Sequence, residues 1–318
     1  MRICIIGKIG SVTHWLEDCA AGCTAAGHDV RICPTRNPKL NPAIEELLLL
    51  DALGTPRASW IARAVKRFRP DFILTVKGFD VPAEILDRLK SLPGRPPIAA
   101  WVGDAFGEAD RTTAAYYDLV AYTDSFFVAQ HAASGFASRC IYLPHAANNR
   151  LSAQAATVRA PRLVFVGNPT PNRVDLLARL ETPIEIYGPG WQSFSSAPHA
   201  IHAGRIDVPA LAAVYCGHIG VLNMRSEGNV VHGLNQRSFD PYLLGTPVVS
   251  DDQPDLKNCF EEGREVLVWR SVDELAEICR RLGRQPDIAL EIGAAGRRRV
   301  LAEHCYGHRI ARIAAALS

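Results

Sequence analysis

Lysine is scarce in this chain of 318 residues: six lysines stand beside 29 arginines among 35 basic side chains. With its cations almost wholly on planar guanidinium groups, any anion site is expected to be an arginine site. A surplus of charge is missing too. The 35 basic side chains face 33 acidic ones, a formal net charge of +2. That excludes a general nucleic-acid binder, because phosphate-tracking surfaces need clustered excess cations. No apolar run approaches the roughly 20 residues that span a bilayer. Lys8, His14, Glu17 and Asp18 follow the first apolar run too soon for a secretory signal. Nine cysteines include no Cys-x-x-Cys pair, and Cys19 and Cys23, four apart, lack a second pair at zinc-like spacing. Reduced, mostly buried thiols in a soluble cytoplasmic protein are the expectation.

What is present is a hydrophobic fraction of 48% with 21% charged residues, which excludes a largely disordered chain. At ~100–200 residues per domain, the length divides into two domains, each able to bury its own core. Short apolar runs alternate with longer helical patterns. Strands are expected at Arg2–Gly7, His28–Cys33, Asp71–Lys77, Pro97–Val102, Asp118–Tyr122 and Arg139–Leu143, with helices at Ser11–Ala26, Pro42–Leu53, Trp60–Phe68 and Pro82–Leu89. Small and polar residues over Asn148–Pro161 break this rhythm and read as a connection. The alternation restarts with strands at Arg162–Val166, Ile184–Tyr187, His218–Leu222, Pro247–Ser250 and Glu265–Trp269. Helices are expected at Asn172–Leu180, Val208–Cys216 and Gly233–Leu244, then to the end. Such alternation predicts α/β domains with parallel sheets covered on both faces. The expected division is an N-terminal Rossmann-like domain over 1–155, a second over 156–300, and a final helix over 301–318 that crosses back to the first. A ligand belongs at the carboxyl ends of the strands, in a cleft where the two units face each other.

Three segments carry chemistry. The turn Gly7-Lys8-Ile9-Gly10 joins a strand to a helix, and its NH groups suit an anion or a closely approaching substrate. It lacks the Gly-x-Gly-x-x-Gly spacing, and no acid ends the second strand, so a nicotinamide dinucleotide is not expected; a plain tight turn is the alternative. Gly167-Asn168-Pro169-Thr170-Pro171-Asn172-Arg173 follows the first strand of the second domain. Thr170 or Asn172 can cap the next helix there, and the free NH groups with Arg173 suit a diphosphate. The densest segment runs from Asn223 to Asp252, placing Asn235, Arg237 and Asp240 in the first turns of the helix expected over Gly233–Leu244. A guanidinium and a carboxylate beside a helix N-terminus suit phosphates and ribose hydroxyls; an ordinary capped helix is the alternative.

The run Asn229, Gly233, Asn235, Arg237, Phe239, Asp240 resembles the C-terminal signature of CgeB-like (spore maturation protein type) glycosyltransferases. Gly245-Thr246-Pro247, Asp255-Leu256, Phe260, Gly263-Arg264-Glu265-Val266, Asp273-Glu274-Leu275, and the tail Ala294-Ala295-Gly296 with His304, Tyr306 and Arg309 resemble the same family. Trp101, Asp104, Tyr117-Asp118, Thr123-Asp124 and Tyr142-Leu143-Pro144-His145-Ala146 carry a looser likeness in the N-terminal half. The resemblance implies a GT-B fold, with the acceptor side N-terminal and the nucleotide-sugar side C-terminal. It implies donor contacts from His232, Gly233, Asn235, Arg237 and Asp240, beside the donor contacts expected of Gly167, Asn168 and Arg173 from the loop itself. Related retaining enzymes carry a Glu-x7-Glu pair whose second member stands five residues before the glycine of the Gly-Thr-Pro turn. Asp240 takes that position and would bind the donor ribose. His232 takes the first and departs from the pattern, which leaves retention or inversion open.

An inverting transfer needs a base near the acceptor hydroxyl. Asp104, just after the fourth strand, is the first candidate and His14 the second; each also reads as an ordinary cap or hydrogen bonder. Gly10, Lys77 and His145 are the acceptor-side candidates, and Asp80 beside Lys77 could touch the acceptor. No metal or other cofactor is expected, since arginines and helix NH groups can stabilise a departing diphosphate. Asp251-Asp252 read as a turn. The reading is therefore a metal-independent transferase that uses a nucleotide-diphosphate sugar of UDP or dTDP type and an unidentified acceptor. Alternatives are a sugar-nucleotide epimerase on the same fold and a non-catalytic nucleotide- or carbohydrate-binding module.

Overall fold

A computed structural model of the chain describes residues 1–9, 14–36, 56–103, 112–136, 138–148, 150–151, 159–195 and 198–318. Gly10, Asp104 and the expected helix Pro42–Leu53 lie outside the described residues, as does the boundary expected at 155. The chain divides into two compact units, one of Met1–Pro144 with Tyr306–Ser318 and one of His145–Cys305. All the cysteines are free thiols, Cys140 and Cys305 half-buried and the others buried. No helix among the described residues is long and apolar enough to cross a membrane.

The first unit is built on a six-stranded parallel sheet with the order β2-β1-β3-β4-β5-β6. Its strands are β1 (Arg2–Gly7), β2 (Asp29–Pro34), β3 (Phe72–Val76), β4 (Ile98–Val102), β5 (Leu119–Tyr122) and β6 (Arg139–Tyr142). β3, β4 and β5 are buried along their whole length. They are the uninterrupted apolar runs that a parallel sheet covered on both faces requires. Cys4, Ile6 and Ile73 pack with Ile61 and Val65 of helix α2 (Pro56–Phe68) and Ile85, Leu86 and Leu89 of helix α3 (Ala83–Lys90). Helix α1 is Trp15–Ala25, and helix α4, Ser125–Ala133, was not read from the sequence although Asp124 caps it by accepting from the Phe126 N–H at 2.9 Å.

The last helix of the chain completes this unit, so the expected segment 301–318 is divided between the two units. Its first residues, to Glu303, end the helix before it; Tyr306–Leu317 is the helix α10 of unit one. Tyr306, Ile310 and Ile313 of α10 are fully buried. Trp101 lies edge-on between Trp15, at 5.1 Å, and Tyr306, at 5.9 Å. Arg309, also buried, donates from Nε to the Pro144 carbonyl at 2.8 Å. Gly22 of α1 lets α10 approach: a Cβ there would stand 2.4 Å from the Cβ of Tyr306.

The second unit holds a six-stranded parallel sheet in the order β12-β11-β10-β7-β8-β9. Its strands are β7 (Ala160–Val166), β8 (Glu185–Gly188), β9 (Ala200–Ala203), β10 (His218–Asn223), β11 (Val248–Asp251) and β12 (Leu267–Trp269). From β7 the chain builds outward to β8 and β9, then returns to lay β10, β11 and β12 on the other side. The strand order thus reverses between β7 and β10, and the crevice at their carboxyl ends is where open α/β sheets bind ligands. The helices are α5 (Pro171–Arg179), α6 (Val208–Cys216), α7 (Asp240–Leu243), α8 (Val272–Arg284) and α9 (Pro286–Glu303). Strand β9 was not expected, since Ala-Ile-His-Ala carries no clear alternation.

The helix expected over Gly233–Leu244 is not continuous. A 3-10 turn at Gln236–Ser238 precedes the single turn α7. Pro241 has no N–H to give and is tolerated only in a first helical turn, so the helix starts there rather than running through it. Asn235 stays extended, with φ −83° and ψ 169°.

Across the lower part of this sheet, Glu185 gathers the side chains of four neighbours. His218 Nε2 stands at 3.2 Å, His202 Nε2 at 3.5 Å and Arg162 at 3.8 Å, and the Tyr187 hydroxyl donates at 3.1 Å. Burial pushes the Glu185 carboxyl up, but His218, Tyr187 and Arg162 together outweigh it and hold it below its ordinary value.

Two outcomes follow from this packing. Gly22→Ala forces the new methyl against Tyr306 and should destabilise the first unit by about 1–3 kcal/mol, read by urea unfolding. Because the Glu185 carboxyl titrates lower folded than unfolded, its stabilisation is complete above the unfolded value of about 4.3 and is lost as pH falls through the folded one. The unfolding midpoint of the wild type should therefore drop more steeply below about pH 4.3 than that of Glu185→Gln; parallel curves would refute the assignment.

Candidate functional site

The crevice between β7 and β10 is built on Phe165, near the end of β7. Two guanidinium groups stand over its ring, Arg173 at 5.3 Å and Arg237 at 4.9 Å from the centroid. Arg173 is buried in the first turn of α5. It donates from Nη1 to the Asn168 carbonyl at 2.9 Å and from Nη2 to the Met224 carbonyl at 2.8 Å. It thereby ties the loop after β7 to the loop after β10. Its Nε is buried without a hydrogen-bond partner. Burial, reinforced by the nearby Arg237 charge, pushes its pKa down to about 9. Arg237 donates from Nη1 to Asn223 Oδ1 at 3.0 Å, and burial lowers its pKa too. The carboxylates of Asp251, near both, and of Asp240, near Arg237, offset part of the cost of desolvating two cations this close together, and burial still outweighs them.

Gly167 makes room for them, since a Cβ there would stand 2.7 Å from Arg237 Nη2. The loop is pinned from below by the Trp191 indole N–H, which donates to the Gly167 carbonyl at 2.7 Å. Neither expected side-chain cap of α5 forms. Thr170 donates its hydroxyl to Asn172 Oδ1 at 2.6 Å, and Asn172 donates from Nδ2 to the Arg225 carbonyl at 3.2 Å. Pro171 occupies the first turn, and its fixed φ starts the helix without a cap.

Asn223, fully buried at the end of β10, organises the other wall. Its Oδ1 accepts from Arg237 and, at 2.9 Å, from Asn235 Nδ2. Its own Nδ2 donates to the hydroxyls of Ser238 at 3.0 Å and Ser250 at 3.3 Å. One amide thus sets both residues of the Asn-x-Arg pair, and Asn235 Oδ1 is left buried with no partner. Asp240 is buried at the start of α7, where Oδ1 accepts the Asn148 N–H at 2.8 Å. His232 is half-buried and Gly233 buried on the preceding loop, and the His232 carbonyl accepts from the Asp255 N–H at 3.1 Å. Sequence reasoning singled out Asn235, Arg237 and Asp240 but passed over Asn223 and Phe165. A polar residue ending the apolar run His-Ile-Gly-Val-Leu-Asn was the available signal for the first; nothing in β7 marked the second.

In the first unit, Lys77 lies with Gly7, Lys8, Thr35 and Asp80 around a small cleft at the carboxyl ends of β1, β2 and β3. His14 precedes α1, 3.6 Å from Glu17. Lys77 and His14 both adopt the left-handed backbone region, at φ 56° and 47°, which non-glycine residues seldom enter and which clusters at functional sites. His145 falls in the second unit and is half-buried.

Residues 172–315 match a family model described as glycosyl transferase-like. No curated protein matches the chain by sequence. Among solved structures, the chain is similar to sucrose-phosphate synthase from Thermosynechococcus elongatus, with 14% identity, TM-score 0.67, and 98% of this chain and 97% of that one covered. It is similar to Alr3699/HepE from Anabaena, solved in complex with UDP and glucose, with 13% identity, TM-score 0.68, and 100% and 99% covered. AviGT4, a glycosyltransferase involved in avilamycin A biosynthesis, has 15% identity, TM-score 0.66, and 100% and 97% covered. The two six-stranded parallel sheets with their helices are the GT-B fold expected from the sequence.

Replacing Asn223 by Ala removes one acceptor shared by two donors and one donor shared by two hydroxyls. The loss should be about 1–3 kcal/mol, because buried groups are left unpaired, and chemical denaturation measures it.

Proposed function

From a fold shared with GT-B glycosyltransferases, we propose that this chain transfers a sugar from a nucleotide diphosphate, of UDP or dTDP type, to an acceptor taken up by the first unit. The single observation that carries the reading is the pair of guanidinium groups over Phe165. Arg173 and Arg237 are held there by neutral acceptors, the Asn168 and Met224 carbonyls and the Asn223 amide oxygen. A diphosphate is the anion whose two groups match two adjacent forks. Of the loop after β7, the Asn168 and Thr170 N–H groups would complete its cradle, since Gly167 gives its N–H to the Tyr187 carbonyl and Pro169 has none, and the finer resemblance to CgeB-like enzymes belongs to the same reading.

In the reaction, the bond between the anomeric carbon and the diphosphate oxygen breaks as an acceptor oxygen bonds to that carbon. The charge that develops on the leaving diphosphate falls on Arg173 and Arg237, so no metal is needed for it. Their depressed pKa values rise again once the dianion is bound, because an opposite charge favours the protonated form. Asp240, with Asn235 beside Arg237, is assigned to the donor's ribose side, and His232 and Gly233 to the approach of its sugar. The acceptor proton goes to Asp104 or to His14, with Lys77, Gly10 and His145 on the acceptor's path.

Calorimetric titration of UDP, dTDP and GDP tests the reading. UDP or dTDP should bind the wild type, and Arg237→Ala should weaken binding at least roughly tenfold, about 1.4 kcal/mol. Arg237→Lys should restore only part of the loss, because an ammonium cannot form the fork. Absence of binding by every nucleotide diphosphate, or an Arg237→Ala variant that is folded and binds as tightly as the wild type, would sink the assignment. A UDP-sugar incubated without acceptor should persist; accumulation of its stereoisomer would indicate an epimerase instead.

A further inference from the structure

Helix α2 of the first unit turns one face inward and leaves a chemically distinct one outside. Ala58, Ile61, Ala62 and Val65 are buried, in the core that the sheet and α3 share. Trp60, Arg63 and Arg67, spaced three and four residues apart, fall on one line on the opposite side and are exposed. Trp60 keeps 37% of its surface accessible, and the Arg57 guanidinium lies over its ring, 5.5 Å from the centroid. Lys66, on the flank, and Arg69, just past the helix end, are exposed too. We infer that this face lays the protein against an anionic phospholipid bilayer.

Charge is concentrated here rather than spread. Between Pro56 and Pro70 stand five cations and no carboxylate, so one residue in three is basic, against about one in nine over a chain whose net charge is only +2. Among the described residues, Arg63, Lys66, Arg67 and Arg69 enter no ion pair. The elements packed against α2 do not neutralise them. On α3, Glu84 and Asp87 are matched by Arg88 and Lys90, and Asp87 is engaged by the Tyr116 hydroxyl. Beneath the helix, Asp71 accepts the Arg2 N–H at 2.8 Å, and Asp29 lies 3.7 Å from the Arg2 guanidinium. Arg2 itself stands over the Phe68 ring at 4.6 Å, and Arg31 on β2 is exposed, so the strands add cations to this side and no free acid.

The shape fits a plane better than a pocketed ion. At 1.5 Å per residue, the cations from Arg57 to Arg69 run along about 18 Å of helix. They project outward from its convex side, where a small anion would meet one guanidinium at a time. An indole set among guanidiniums suits the headgroup layer, with the ring towards the acyl boundary and the cations at phosphate level. Each cation brought near an anionic leaflet raises affinity roughly fivefold. The apolar face of α2 is committed to the core, so the attachment is a reversible adsorption that salt weakens.

Co-sedimentation of the full chain with vesicles tests this. The protein should pellet with vesicles of equal phosphatidylcholine and phosphatidylglycerol, stay in solution with phosphatidylcholine alone, and be released by 1 M salt, where the screening length falls to about 3 Å. The Trp60 emission, taken as the difference between wild type and Trp60→Phe, should move to shorter wavelength on the mixed vesicles. The double variant Arg63→Glu/Arg67→Glu should bind them at least roughly twentyfold more weakly. Arg281→Glu/Arg298→Glu, an equal charge change on exposed positions of the second unit, should bind as the wild type does. The inference is overturned if the mixed vesicles do not bind the protein, or if phosphatidylcholine alone binds it equally. It is overturned too if the α2 variant, folded by its unfolding midpoint, binds like the wild type, or if the second-unit variant loses as much. Tighter binding to a duplex oligonucleotide than to the vesicles would make this a nucleic-acid surface instead. The inference does not rest on the donor reading, whose residues lie in the other unit, so either can fail alone.

Discussion

The buried side chain of Asn223 is the contact on which the crevice of the second unit depends. An amide at the end of a central strand can accept and donate at once, and this one accepts twice and donates twice. Its oxygen orients Asn235 and Arg237, and its nitrogen fixes two serines, one from the 3-10 turn and one from the adjacent strand. Because the strand is central and parallel, its position is set by hydrogen bonds to both neighbours, β7 and β11. The guanidinium of Arg237 therefore inherits the rigidity of the sheet rather than the mobility of a loop, and Phe165 from the neighbouring strand supplies the ring beneath it.

The same sheet produces two chemically unlike places on one edge. Over Phe165, two guanidinium groups are hydrogen-bonded to neutral acceptors, with Asp251 near both and Asp240 near Arg237. Over β11 and β12, carboxylates and guanidiniums pair with one another, Arg270 with Glu262 and Asp252 and Arg225 with Asp251. The scarcity of lysine bears on both. A guanidinium can be stacked on an aromatic face and pinned through several N–H groups, as Arg173 is, whereas an ammonium is a hydrated point charge that resists such burial.

Much of the architecture was legible in the sequence. Runs such as Phe-Ile-Leu-Thr-Val and Ile-Ala-Ala-Trp-Val can satisfy their apolar surface only inside a covered parallel sheet, so β3 and β4 were readable without partners. Helix α6 was readable to the residue, bounded by Asp207 and Gly217. Where reading failed, a non-local cause decided. The stretch Gly233–Leu244 has helical composition, but Pro241 and the pull of Asn223 on Asn235 break it. Ala200–Ala203 has no pattern of its own and becomes a strand because β8 offers it an edge.

By itself the sequence determined the class of fold, the placement of most strands, and the arginine character of any anion site, because hydrophobic periodicity and composition are local properties of the chain. Tertiary structure alone decided which groups meet. It brought Arg173 and Arg237 onto one ring, gave Asp240 to the Asn148 N–H, and returned the last helix to the first unit, where Tyr306 closes on Gly22. These pairings join residues far apart in the chain. They depend on strand order and register, which are chosen by the packing of the whole unit and are written in no single segment.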